Sequence, residues 1–428
     1  MSAITENPRG ACVLGGINDV LCAISRVCPI YHSGPGCCMQ TTGGESGQAG
    51  LRTPHFLSDV STPCSNMLER DVIFGGERKL RGAIDGAIEI IDADAYFVLT
   101  GCTAGIIGDD IESVTREYKD RGLRVYSITT PGFAGDSNLG YEAAFQSLID
   151  NIVEGDLERQ PDLVNLFGVI PFHEPFWEGT LEEFTRLFQK LGLRVNTFFS
   201  GNQGIEHIRS SSSASLNIIL NPWLLQSAEK HYRERFGVPS LRFPGIPIGA
   251  TDTTKLVRAV GKALDLDKTF VNEVTSEEEA YIYHYFERII GRLGWKRFAV
   301  VGEAAVAVGV TRFLANDYSF TPVVTIISDP VFRDSDRKLI TKQITDLEYA
   351  KAPDVFFETD HYRIMEILES YDDITLLVGS TLEREVALKW DVQCHVMSFP
   401  VSDKLVLNRT YGGYRGSLTL IEDLYNNL

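Results

Sequence analysis

Short β-branched strands alternating with helices of about 10–15 residues mark this chain as α/β, with parallel sheets flanked by helices. Two further observations set the number of units. A length of 428 residues exceeds what one compact core sustains, and about 150 residues per domain gives roughly three. Composition then shifts near 160 (E-R-Q-P-D) and near 294, so three Rossmann-like domains are expected, over 1–160, 161–294 and 295–428.

Residues 10–28 read as a helix after a Gly-rich start. Asn18 or Asp19 is its cap, Val20, Leu21, Ile24 and Val27 recur at helical spacing, and Pro29 is its stop. Ile30 and Tyr31 lead into the turn H32-S-G-P-G-C-C. Residues 39–63, rich in Gly, Thr, Ser and Pro, are expected to be irregular surface or interface. From Gly75 to about Ile91 a helix places Leu80, Ile84, Ala87, Ile88 and Ile91 on one face, and 95–101 forms a short buried strand ending at Cys102. G108-D-D-I-E-S-V opens the next helix with acids where its dipole favours them. Residues 124–130 form another strand. Further strands are expected at 163–170, 193–199, 216–220, 297–302, 321–327, 353–357, 374–379 and 392–397. Helices lie between most of them, near 180–191, 223–236, 253–264, 275–293, 303–315 and 360–370. The S210-S-S-S-A-S run reads as a polar loop.

An apolar content of 44% and a charged content of 23% are ordinary for a soluble globular protein. The net charge of −18 argues against nucleic acid or an anionic membrane as partner, since both demand a basic face. No apolar run approaches the roughly 20 residues that span a bilayer, and the first residues lack a signal-peptide pattern. A cytoplasmic location is therefore expected. In a reducing compartment the eight cysteines do not read as a disulfide framework, which leaves metal binding, catalysis or burial.

Seven of those cysteines fall between Cys12 and Cys102. Cys12, Cys37 and Cys102 each sit among small residues where a regular element gives way to a loop, so they can converge on one point and admit a bulky inorganic group. Their spacing contains no C-x-x-C ribbon or ferredoxin run. On the residues alone, ligation of an iron–sulfur cluster, structural burial and a redox-active thiol all stand. Three thiolate ligands are one short of the usual four per cubane, so a cluster here would be completed by another chain.

Four separated motifs carry a resemblance: N7-P-R-G-A-C12-V-L-G-G, H32-S-G-P-G-C37, D71-V-I-F-G-G76, and T100-G-C102-T-A-G-I-I-G-D-D110 followed by T130-P-G-F. In order and spacing they resemble the nitrogenase component I (dinitrogenase) superfamily along the whole first domain. The tail, F399-P-V-S-D with Y411-G-G-Y-R-G, is similar to its β-type subunits. The resemblance implies the component I fold and an oxidoreductase complex. It makes Cys12, Cys37 and Cys102 ligands to half of a P-cluster-type iron–sulfur centre (8Fe-7S or 4Fe-4S) shared with an α-type catalytic subunit in an α2β2 heterotetramer. It also makes Phe74 a docking contact for an ATP-dependent iron protein, where the residue-level alternative is a core phenylalanine. Cys37, directly after Gly36, matches the ligand position, which leaves Cys38 as a buried small hydrophobe.

The sequence departs from the molybdenum enzyme's β subunit in three places. No long extension precedes Cys12. Gly132 stands where some β subunits place a serine able to ligate an oxidised cluster. D71-V-I-F-G-G-E-R-K-L reads like α-type and scaffold-type relatives. These departures are similar to shorter nitrogenase-like reductases such as methylthio-alkane reductase. A true nitrogenase β subunit and a non-catalytic cofactor-assembly scaffold are the alternatives. L220-N-P-W-L lacks the cysteine, and F399-P-V-S the histidine, with which family α subunits hold the substrate-reducing cofactor. That cofactor is therefore expected in the partner chain.

Of the remaining candidates, Cys22, Cys28 and Cys394 read as core, and Cys64 has no assigned role. His395 reads as a satisfied core histidine. His32 is either a tuner of the cluster or a turn residue, and Asp109 and Asp110 are helix-dipole partners. V301-G-E-A-A-V-A-V-G309 lacks a nucleotide-loop signature and reads as a helix start packed near a partner or cluster.

Overall fold

A computed structural model describes residues 6–52, 62–129, 131–199, 203–289, 292 and 294–426. Its strands form three sheets, and every pairing within them is parallel. The first sheet, in order β1-β2-β3, contains β1 (Val27–His32), β2 (Ala95–Thr100) and β3 (Val125–Ile128). Next come β4 (Gln160–Phe167), β5 (Arg194–Asn196), β6 (Ala214–Ile219) and β7 (Ser240–Arg242), ordered β5-β4-β6-β7. The third sheet is β8 (Arg297–Gly302), β9 (Thr321–Ile327), β10 (Asp354–Phe357), β11 (Leu376–Gly379) and β12 (Gln393–Val396), ordered β10-β9-β8-β11-β12. Helices cover both faces, so β1 and β2 are buried along their whole length. Their unbroken apolar runs are the mark of a parallel sheet.

The first helix is shorter than its periodicity suggests. It spans Val13–Cys22 with Cys12 as its N-cap, while Asn18 and Asp19 lie inside it. Pro29 falls within β1, not at a helix end; β1 is an edge strand, where a missing N–H is tolerated. The segment expected to be irregular from residue 39 begins as a helix, Pro35–Gln48; residues 53–61 lie outside the described residues. Its glycines concealed it, since each weakens a helix by about 0.5–1 kcal/mol relative to alanine. Pro35 at the first helical position and buried Cys38, Thr42 and Glu45 hold it in place. The serine run is a 3-10 turn, Ser210–Ser213, buried from Ser211 on; Ser211 Oγ donates to Ile208 O at 2.7 Å, and Ser212 Oγ reaches the distant Glu154 carbonyl.

Two contacts place the site. Helices Val13–Cys22 and Ser137–Asn151 pack at backbone distance. A Cβ on Gly140 would lie 2.2 Å from the Val13 carbonyl, and one on Gly16 would lie 2.2 Å from that of Ser137. The entering chain is then stitched to the segment after β3 by Val13 N to Gly135 O (3.2 Å) and Ser137 N to Ala11 O (2.9 Å). The last helix, Gly413–Asn426, returns to the second sheet's layer and packs on Trp177–Lys190, Gly249–Ala263 and Lys268–Phe286.

Candidate metal-cluster site

Parallel sheets present loops and helix starts at the carboxyl ends of their strands, where ligands collect. Cys37 lies in the first turn of Pro35–Gln48, just past the end of β1. Cys102 opens the helix Cys102–Ile107, just past the end of β2. Gly132 follows β3, and Cys12 is held beside that segment by an isolated bridge to Asp136. The three cysteines line one cleft of about 640 Å³. A Cβ on Gly132 would stand 3.0 Å from Cys102 Sγ and 3.2 Å from Cys12 Sγ. Both sulfurs thus face the same point, and the missing side chain is what leaves it open.

The other cysteines are placed differently. Cys38 is buried with its thiol 3.7 Å from Thr62 O. Cys64 lies beside Ser33, its thiol 3.5 Å from that carbonyl. Cys22 and Cys28 are core, the latter in β1 and not on a helix; Cys394 is in β12, and burial pushes its thiol up to about 12.

Burial raises the Cys37 thiol above its ordinary range, and the neighbouring Cys102, Cys12 and Cys64 thiols raise it further. Three thiolates gathered this closely repel one another unless a multivalent cation sits among them. Cys12 caps one helix and Cys37 lies in the first turn of another, where the positive end of the dipole favours anionic sulfur. The donor set, its shared cleft and the bare position at 132 fit an iron–sulfur group.

Carboxyl groups lie on the cleft floor. Tyr141 donates to Asp19 Oδ2 at 3.2 Å, and Asn18 donates to Glu45. Burial lifts Asp19 to about 7, against the lowering effect of its bonds to Glu45 and Tyr141. His32, by contrast, is a structural tie: Nδ1 pairs with Ser65 Oγ and Nε2 with Asp109 Oδ2, both at 2.9 Å. Asp109 also accepts from Gly76 N at 3.0 Å, so it fastens one helix start to β1 and is not a dipole partner of the following helix. Asp110 does cap that helix, through Ser113 N at 2.9 Å.

Phe74 ends the short helix Glu69–Phe74 and is 85% exposed, which removes the core reading. That helix packs on Cys102–Ile107, and Ile73, Ile106 and Phe133 are exposed as well. An apolar rim therefore borders the thiol cleft. His395 is buried, but neither ring nitrogen has a hydrogen-bond partner among the described residues; it packs edge-on to Tyr411 instead. At the V301–G309 segment, Glu303 accepts from Ala305 N and Val306 N, both at 2.7 Å, so its carboxylate occupies the helix start where an anion would bind. Sequence reasoning did not single out that carboxylate, nor His173 and Asp329; a lone acid between a strand and an apolar helix was the available signal for Glu303.

The fold is that of the nitrogenase component I proteins. The solved structure "Nitrogenase Cp1 at pH 6.5" matches with a TM-score of 0.82 at 19% identity, over 100% of this chain and 94% of that one. The chain belongs to the nitrogenase component 1 type oxidoreductase family, whose model matches residues 12–428. It is 26% identical to the nitrogenase iron-molybdenum cofactor biosynthesis protein NifE of Clostridium pasteurianum, over 79% of this chain and 77% of that protein. To the NifE of Bradyrhizobium diazoefficiens it is 25% identical, over 98% and 74%. The nitrogenase molybdenum-iron protein alpha chain of Methanosarcina barkeri is 29% identical over 64% of this chain, and the match spans about half of that alpha chain, 51%. Among the described residues no helix is long and apolar enough to cross a membrane.

Proposed function

We propose that this chain is the β-type electron-relay subunit of a nitrogenase-like reductase. Cys12, Cys37 and Cys102 hold one half of a P-cluster-type iron–sulfur centre, and an α-type catalytic chain supplies the other half. The observation that carries this reading is that three thiols from three separate segments open on one cleft, bordered by an exposed apolar rim. When bound, such a centre stores and releases single electrons at a potential set by its ligands and burial.

The chain's own part is to fix three sulfurs, point helix N-termini at them and keep position 132 free of a competing oxygen ligand. Phe74 and its exposed neighbours are the docking contact for an ATP-dependent iron protein. The tail motif and the missing cysteine at 220–224 favour the β-type role over an α-type one. Gly132 and the D71-V-I-F-G-G segment favour a reductase of small organic sulfur compounds, methylthio-alkanes among them, over a dinitrogen-reducing enzyme.

A second reading, a non-catalytic scaffold for cofactor assembly, is favoured by the similarity to NifE proteins. Both readings need the cluster; turnover separates them. The co-purified complex of a reductase consumes methylthio-alkanes with reductant, ATP and iron protein, whereas a scaffold holds cofactor without turnover. For the cluster itself, iron and acid-labile sulfide are measured with EPR on wild type and Cys102→Ala. Loss of the signal in a folded complex is expected. An unchanged signal would remove Cys102 from the site.

A further inference from the structure

Beside the thiol cleft a second group of donors meets between the second and third sheets. His173 lies in the segment after β4, Glu303 directly after β8, and Asp329 just past β9. β4 and β8 each have neighbours on both sides reached by opposite crossovers, and the carboxyl ends of such strands are where parallel sheets form crevices. One ligand atom from each of the three side chains lies within 4.8 Å of the others.

The carboxylates are held rigidly and kept from water. Glu303 is 4% and Asp329 6% exposed. Backbone N–H groups orient them: Ala305 and Val306 donate to Glu303, and Ala304 donates to Asp329 Oδ1 at 3.0 Å. The atoms left over point to a missing partner. Asp329 Oδ2 and His173 Nε2 are buried with no hydrogen-bond partner among the described residues. A buried polar atom left without a partner is destabilising.

The two arginines of the adjoining cleft are committed elsewhere. Arg9 and Arg337 line the adjoining cleft of about 440 Å³. Arg9 pairs with Glu383 and Ser380, while Arg337 donates to Val331 O at 2.6 Å and stacks over Phe357. Asp136 adds negative charge from a neighbouring loop. Two buried carboxylates this close need protons or a cation.

We propose that His173, Glu303 and Asp329 bind one divalent first-row transition ion, which clasps the second sheet to the third. Two carboxylates balance the ion's charge, and one imidazole nitrogen with two carboxylate oxygens suits manganese, iron(II) or zinc better than the all-oxygen shells of magnesium and calcium.

The test uses the purified complex, stripped with chelator and titrated with Mn2+, which prefers oxygen and nitrogen to thiolate. Loss of the free Mn2+ EPR signal reports binding. Wild type and Cys102→Ala are expected to take up one Mn2+ per copy of this chain and to melt higher with it. His173→Gln and Asp329→Asn, near-isosteric and checked for fold by circular dichroism, are expected to bind at least about tenfold more weakly. No saturable uptake by wild type, or equal uptake by both variants, would overturn the site. Because Cys102→Ala removes a thiol-cleft ligand while leaving His173, Glu303 and Asp329 intact, failure of the ion site and failure of the cluster reading are distinguishable.

Discussion

A single absent side chain shapes the thiol cleft. With Cβ contacts of 3.0 and 3.2 Å to two sulfurs, Gly132→Val leaves no room for an inorganic group beside Cys12 and Cys102. The expected outcome is a folded complex with sharply reduced iron, read by metal analysis beside circular dichroism. Asp19 supplies a pH dependence. Its folded value, about 7, exceeds the ordinary carboxylate range, so the fold prefers the protonated form. The stabilisation is present at low pH and is lost as pH rises through 7. The slope from this one group is at most about 1.4 kcal/mol per pH unit. Denaturant titrations across that range are expected to show the decline, and Asp19→Asn to flatten it. At this scale the sequence was informative where chemistry is local: Cys37 rather than Cys38 lines the cleft, from the first turn of the helix that Pro35 opens. It offered Asp19 only as a helix cap and was silent on Glu45; the two meet because two helices pack.

The helix Pro35–Gln48 carries the most divided loyalties. Cβ atoms built on Gly43 and Gly47 meet nothing within 4 Å, so the helix has a bare outer side that a second chain's backbone can approach. Gly43→Ala and Gly47→Ala are each expected to stabilise the isolated chain by about 0.5–1 kcal/mol while weakening co-purification with the partner. Equal recovery of the complex would show that this side is not an interface. Gly140→Ala behaves oppositely: its Cβ meets the Val13 carbonyl at 2.2 Å, and separating the helix that presents Cys12 costs about 1–3 kcal/mol, measurable by urea denaturation. Element type was legible wherever periodicity was strong, as in Glu77–Ile90 and β2. It was lost where glycines mask a helix that only tertiary contacts hold, and where Pro29 imitates a helix stop inside an edge strand.

Across the whole molecule, the N-terminal segment acts as a fastener. Arg9, beside the cleft, reaches the buried Glu383 on the third sheet's helix Thr381–Trp390, and His361 N donates to Glu6 O at 2.8 Å. Arg9→Ala leaves Glu383 buried without its cation, which is expected to cost about 3–5 kcal/mol, visible as a lowered thermal midpoint; Arg9→Lys recovers part of it. Three parallel sheets could be read from alternating strands and helices. The return of Gly413–Asn426 to the middle layer, and an ion pair between residues 374 positions apart, could not, because no local pattern encodes which distant surfaces meet.

Iron per complex across a cysteine series decides the relay reading. Cys12→Ala, Cys37→Ala and Cys102→Ala are expected each to lose cluster iron and its EPR signal, with Cys38→Ala and Cys64→Ala near wild type. A wild-type complex without iron and sulfide, or a series in which Cys38 or Cys64 matters and Cys37 does not, would contradict it.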